Sequence, residues 1–255
     1  MMLTKFQIES ISKFIQFLFI AVMIPCTLIS CDEDDTQPKP RSTSLNKIMP
    51  LGASRVEGAR PAFESFRYEL WKLLVDGEWD FDYIGTQTDN ASYEDFLDLP
   101  FDSDHEGRGG WTSGEILDGI SEWINKAGAP DIVLFSSPGG NDILNGLSSY
   151  NETISNINAI IDILQTANPN VTIIIEQLAP GKSSFMTAAF TTTFNNMQQE
   201  VVTIATQQTT VTSQVITVDM FTGFNDSHLA DDVHYNDAGA KFIADRYYNI
   251  LQDVL

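Results

Sequence analysis

Four short clusters in the sequence carry side chains suited to acyl transfer. They are Gly52-Ala53-Ser54, the glycine-rich run Asp104-His105-Glu106-Gly107-Arg108-Gly109-Gly110-Trp111-Thr112, Gly139-Gly140-Asn141-Asp142, and Asp231-Asp232-Val233-His234. A hydroxyl nucleophile needs a base to take its proton, and the base needs a carboxylate to set its tautomer and stabilise the imidazolium. Donors must also meet the oxyanion, and losing one costs about 10²- to 10³-fold in rate. Ser54, His234 and Asp231 can fill the first three roles. The backbone N–H groups of Ser54 and Gly110, with the Asn141 side-chain amide, can fill the last.

Each residue also has a plainer reading. Gly and Ser are ordinary turn formers, so Ser54 alone says little. His105 and His228 compete with His234 and read as structural or substrate-contacting. Asp226, His228, Asp231 and His234 could instead ligate a metal, but their spacing matches no dense ligand motif. Asp142 and Asp232 read as loop-stabilising. Trp111 is evenly balanced between stacking on a sugar ring and packing at a helix start.

The elements that must position these residues alternate along the chain. Strands are expected at Lys47–Leu51, Phe81–Ile84, Asp131–Ser136, Val171–Ile175 and Val215–Val218. Between them lie helical stripes: Phe63, Phe66, Leu70, Trp71 and Leu74; Ile116, Ile120, Trp123 and Ile124; Ile154, Ile157, Ile161 and Leu164; Phe190, Phe194, Met197, Val201 and Ile204. A last helix spans about Asp237–Leu251. Thr112-Ser113-Gly114-Glu115 fits a capping box that opens the second helix, and 86–110 is irregular. Strands alternating with helices imply right-handed crossovers and a parallel sheet covered on both faces, with ligands beyond the strands' carboxyl ends. All four clusters fall after such strands or before the last helix.

In this order and at these places, the four clusters resemble those of the SGNH (GDSL-type) hydrolases, named for Ser, Gly, Asn and His. Asp231 and His234 match that family's Asp-x-x-His pairing. Within the superfamily the likeness is to carbohydrate esterase family 3, the acetyl xylan esterases, carried by Ile48-Met49-Pro50-Leu51-Gly52-Ala53-Ser54, Asp104-His105-Glu106-Gly107 with Gly110-Trp111, and Asn236-Asp237-Ala238-Gly239. It spans roughly residues 47–251. The resemblance implies a three-layer α/β/α fold with a five-stranded parallel sheet, flavodoxin-like in its winding. It also implies a serine esterase that deacylates carbohydrate such as acetylated xylan through an acyl-enzyme, without metal or organic cofactor. One departure stands out. The family's Gly-Asp-Ser is here Gly-Ala-Ser, so a loop-supporting aspartate is replaced by Ala53. Two other readings remain: a lysophospholipase or thioesterase of the same superfamily, and a non-catalytic glycan-binding surface lipoprotein.

The chain has 255 residues with 43% hydrophobic, 14 Lys+Arg against 35 Asp+Glu, and a formal charge of −21. That composition fits one α/β domain and excludes wholesale disorder and a disulfide scaffold. The charge argues against nucleic-acid binding, which rests on clustered Lys and Arg. Lys5 and Lys13 flank the start of an apolar run, Phe14–Ile24, too short for a comfortable membrane span. It ends in Leu28-Ile29-Ser30-Cys31, which resembles the lipobox of bacterial lipoproteins. The expected organisation is a signal at 1–30, a lipidated Cys31 opening an acidic and polar tether at 31–45, and the hydrolase domain at 46–255. A lipid-anchored monomer of the cell envelope follows. The acidic start of the tether resembles the export signal of surface lipoproteins. Cys26 leaves with the signal, so no thiol is left for chemistry.

Overall fold

A computed structural model describes residues 42–146 and 148–255. The signal, Cys31 and most of the tether lie outside the described residues. The strands are β1 (Lys47–Gly52), β2 (Asp82–Tyr83), β3 (Glu106–Gly107), β4 (Ile132–Phe135), β5 (Thr172–Gln177) and β6 (Val215–Asp219). All pairings are parallel, in the order β2-β1-β4-β5-β6. The two-residue β3 pairs with the far end of β1, Leu51 with Glu106, beyond the Ile48–Tyr83 pairing to β2. β2 and β3 therefore share one edge, and the sheet is five strands wide. With the small β3 set aside, this is the winding of flavodoxin-like sheets, in which sites form where the strand order reverses.

Alternation along the strands divides the core. Met49, Leu51, Val133, Phe135, Ile173 and Ile175 face one layer, made by α3 (Ser113–Ala127), α5 (Tyr150–Ala167) and α6 (Ala188–Gln208). Ile48, Ile132, Leu134 and Ile174 face the other, made by α2 (Arg67–Asp76) and α7 (Asp237–Leu251). These strand residues are all but fully buried, and each such apolar side chain contributes about 1.5–3 kcal/mol. Two short helices, α1 (Ser54–Glu57) and α4 (Gly140–Asn145), complete the set and follow β1 and β4 directly. Neither has enough residues to show a periodic stripe.

The expected capping box opens α3: the Thr112 side chain accepts from Glu115 N–H while the Glu115 carboxylate takes Thr112 N–H. Such a cap is worth about 1 kcal/mol. One expectation fails. The helix assigned to begin at Phe63 begins at Arg67. Phe63 instead bridges Ala59, and Glu64 pairs with Tyr235, where Glu64 N–H donates to Tyr235 C=O. This long-range pairing holds the segment extended, although its apolar spacing suits a helix.

Candidate active site

Ser54 opens α1 where β1 ends, and the Ala53 carbonyl accepts from Val56 and Glu57 N–H. The turn projects the Ser54 hydroxyl toward the loop before α7. Ser54 Oγ lies 2.9 Å from His234 Nε2, across 180 positions of sequence. His234 Nδ1 lies 2.7 Å from Asp231 Oδ2. The other carboxylate oxygen, Oδ1, accepts from His234 N–H at 2.7 Å and Val233 N–H at 2.9 Å. Burial pushes the Asp231 carboxyl up, but these N–H donors and the ring of His234 outweigh it and hold it below its ordinary value. An ionised Asp231 keeps the proton on Nδ1, so the Nε2 lone pair faces the Ser54 hydroxyl. The arrangement is that of a nucleophile, a base and an orienting acid.

Of the expected oxyanion donors, Asn141 shares a cleft with Ser54. Among the described residues, neither Ser54 N–H nor Gly110 N–H enters a backbone hydrogen bond. Asn141 Nδ2 gives one hydrogen to the Trp111 carbonyl at 2.8 Å, which leaves its second N–H for the cleft. Ser54, Gly140 and Asn141 line that cleft together. Two glycines make the approach possible. A Cβ at Gly107 would lie 2.4 Å from Glu57 N, so the strand end packs directly on α1, and Gly110 has φ +81°, a left-handed conformation.

The sequence matches the model of the GDSL-like Lipase/Acylhydrolase family over residues 75–242. The chain belongs to that family. The matched stretch holds Gly110, Asn141, Asp231 and His234, and the Ser54 turn precedes it. Solved structures agree. One is a carbohydrate esterase family 3 protein from Talaromyces cellulolyticus, 28% identical, covering 82% of this chain and 98% of that one with a TM-score of 0.70. Another is a family 3 carbohydrate esterase from Clostridium thermocellum, 28% identical over the same shares with a TM-score of 0.65. A variant of an acetyl xylan esterase from Geobacillus stearothermophilus is 19% identical, covers 81% of this chain and 94% of that one, and reaches a TM-score of 0.58, which speaks for the fold alone. No curated protein matches the sequence. The family and these neighbours make the chain an esterase-type hydrolase of SGNH fold.

In this acylhydrolase several site residues escaped the sequence reading. The Phe63 ring stacks on the His234 imidazole, centroids 3.8 Å apart and planes within 12°. It fixes the plane in which Nε2 points, and its place in a helical stripe concealed this. Arg55, next to Ser54, is buried. It donates to the carbonyls of Val233 at 2.9 Å, Ala179 at 2.8 Å and Pro180 at 3.2 Å. Val233 both precedes His234 and donates to Asp231, so Arg55 ties the nucleophile turn to the base loop. Arg55→Met should lower kcat on a small ester about 10²-fold with KM little changed, because misplacement of reacting groups by about 1 Å costs that much. Arg55→Lys, lacking the planar fork, should recover only part of it. A fall carried by KM would assign Arg55 to substrate binding instead.

A buried carboxylate braces the loop after β4. Glu176, at the end of β5, accepts from Ser137 N–H at 2.7 Å, Ser136 Oγ at 3.0 Å and Tyr247 OH at 2.8 Å. Burial pushes its carboxyl up against these donors. It thereby holds the loop that leads into Gly140 and Asn141. Asp142 accepts from Ser113 N–H and Oγ at 2.8 and 2.7 Å, the stabilising role expected of it. Trp111 packs on Trp123, centroids 5.5 Å apart, with the Arg108 guanidinium over both rings, 3.6 Å from the Trp123 centroid and 5.3 Å from that of Trp111. His228 lies among Phe224 and Phe242 and accepts from Asn225 N–H. Among the described residues no group of three or more His, Cys, Asp or Glu is placed to hold a metal.

His105 belongs to a second polar cluster. Its Nδ1 accepts from Gly107 N–H at 2.9 Å, and its Nε2 lies 3.4 Å from Asp89, which pairs with the buried Arg67. Burial, opposed by Asp89 and aided by Arg67, brings the imidazole down to about 4. An unfolded His takes a proton below about 6.5. Between those values the unfolded chain binds the extra proton, so stability is lost as pH falls from about 6.5 to about 4, on the order of 3 kcal/mol. Urea midpoints at pH 7, 5.5 and 4 should trace this decline, and His105→Asn should flatten it in that window.

Proposed function

We propose that this chain is a serine esterase that deacylates O-acylated carbohydrate, acetylated xylan being the favoured substrate. His234 takes the Ser54 proton as Oγ attacks the ester carbonyl. The oxyanion of the tetrahedral intermediate meets Ser54 N–H, Gly110 N–H and the Asn141 amide. The intermediate then expels the sugar oxygen, which receives its proton from His234 and leaves an acyl group on Ser54 Oγ. Water, deprotonated by the same imidazole, attacks that ester and releases the acid. The observation that carries this reading is the unbroken hydrogen-bonded line from Ser54 through His234 to Asp231. The same line argues against a glycan-binding protein that has lost turnover.

The acyl side of the cleft supports a short chain. Lined by Ala53, Leu144, Leu178 and Phe194 among others, it leaves ≈ 40 Å³ for the centres of water-sized atoms. That small, largely apolar space suits an acetyl group better than a long acyl chain. A series of esters from acetate to palmitate should therefore show its highest kcat/KM at acetate, whereas a lysophospholipase or thioesterase would favour the long end. Acetate release from acetylated xylan tests the carbohydrate reading, which also draws on the family 3 neighbours. The apolar leader and Cys31 support anchoring to a bacterial envelope membrane. Cys31→Ser should move the protein from the membrane to the soluble fraction.

A further inference from the structure

A second cavity opens on the other side of α1. It offers ≈ 290 Å³ to water-sized atoms and is lined by Glu57, Arg60, Gln87, Asn90, Ala91 and Tyr93 with their neighbours. That approaches the roughly 300 Å³ at which small-molecule sites begin and is room for a pyranose ring with its hydroxyls. The cavity borders the chemistry. A Cβ built on Gly109 would lie 2.4 Å from the Glu57 carboxylate and 4.0 Å from Ser54 Cβ, so one glycine touches both. Ser54 and Glu57 are also the first and last residues of α1. Among the described residues the half-buried Glu57 carboxylate has neither a hydrogen-bond donor nor an ion-pair partner. Facing an open cavity, that carboxylate has its acceptor oxygens available to donors on a ligand. Beside it, Arg60 lies over the Tyr93 ring, 4.3 Å from the centroid, and Tyr93 is held in turn by Tyr68 and Phe101, so this part of the wall is a fixed guanidinium on an aromatic cluster.

We infer that this cavity is a sugar subsite on the leaving-group side of Ser54, in which Glu57 accepts hydrogen bonds from ring hydroxyls of the acylated glycan and Tyr93 with Arg60 supports the ring. The inference rests on the carbohydrate-esterase reading above. A carboxylate, the amides of Gln87 and Asn90, and the Arg60 guanidinium are the groups that suit neighbouring hydroxyls of a pyranose. The ester to be cleaved then lies at the edge of the ring, where Gly109 separates Glu57 from the nucleophile.

The measurement is the ratio of kcat/KM on an acetylated xylo-oligosaccharide to that on 4-nitrophenyl acetate, which carries no sugar. Glu57→Gln keeps the side chain's size and removes its charge, and Ala91→Phe fills the cavity from a loop. Glu57→Gln should lower the ratio about tenfold, the cost of weakening one charge-assisted bond, and Ala91→Phe, which excludes the sugar by bulk, should lower it at least as much. The small-ester rate reports that the enzyme is folded. If wild type cleaves the sugar ester and neither variant moves the ratio, or both substrates lose alike, the subsite is wrong and the carbohydrate reading stands. If wild type cleaves the small ester but not the acetylated sugar, both are wrong.

Discussion

Ser54→Ala should lower hydrolysis of 4-nitrophenyl acetate by about 10⁴- to 10⁶-fold while leaving the thermal midpoint nearly unchanged. The loss is large because the variant removes the atom that forms the new bond, not a group that assists it. Stability should hold because the hydroxyl's hydrogen bond is to His234 Nε2, on a side chain that keeps its second anchor at Asp231 and its stack on Phe63. His234→Ala should cost a similar factor, and the double variant little more than either alone, since the two act as one unit. Residual activity above the uncatalysed rate is expected, because the oxyanion donors remain. Equal rates for wild type and Ser54→Ala would remove Ser54 from the chemistry. Multiplying losses in the double variant would mean that the 2.9 Å contact is not used in the reaction.

The parts of this arrangement that could be read without coordinates share a property: their partners are near in sequence or their types are chemically distinctive. Asp231 and His234 are three positions apart and are bonded both through the ring and through the main chain. Thr112 and Glu115 close a local capping box. The last helix has the bounds its pattern predicts, Asp237–Leu251, with Asn236 capping it by accepting from Gly239 N–H. The alternating strands gave their place but not their exact ends, because end residues are fixed by pairing across the sheet.

What stayed hidden depends on partners far along the chain. Arg55 reaches the Val233 carbonyl across 178 positions, and a carbonyl has no identity in sequence. Glu176 sits in a β-branched run that reads as core, and its role appears only when Ser136, Ser137 and Tyr247 converge on it. Phe63 carries a helical spacing that a bridge between Glu64 and Tyr235 overrules. The Gly-Ala-Ser turn shows the same limit. The motif lacks its loop-supporting aspartate, yet the loops after β4 and before α7 are held by Glu176 and Arg55, neither of which the motif contains.

That bracing makes the oxyanion donors themselves open to test. Asn141→Ala should reduce kcat about 10²- to 10³-fold with KM changed little, because the donor serves a charge that exists only after attack. The variant has a second consequence, since Asn141 Nδ2 also holds the Trp111 carbonyl at 2.8 Å. Losing that bond should cost about 1 kcal/mol of stability. The two effects separate by measurement: the stability cost appears in urea midpoints, and the catalytic loss in kcat at a temperature where both proteins are fully folded. Asn141→Asp keeps the volume but substitutes an acceptor that repels the oxyanion, so it should be at least as slow as the alanine variant despite better packing. If Asn141→Asp retained near wild-type kcat, the amide would be a brace for the Trp111 loop alone, and the oxyanion would have to be carried by the Ser54 and Gly110 N–H groups.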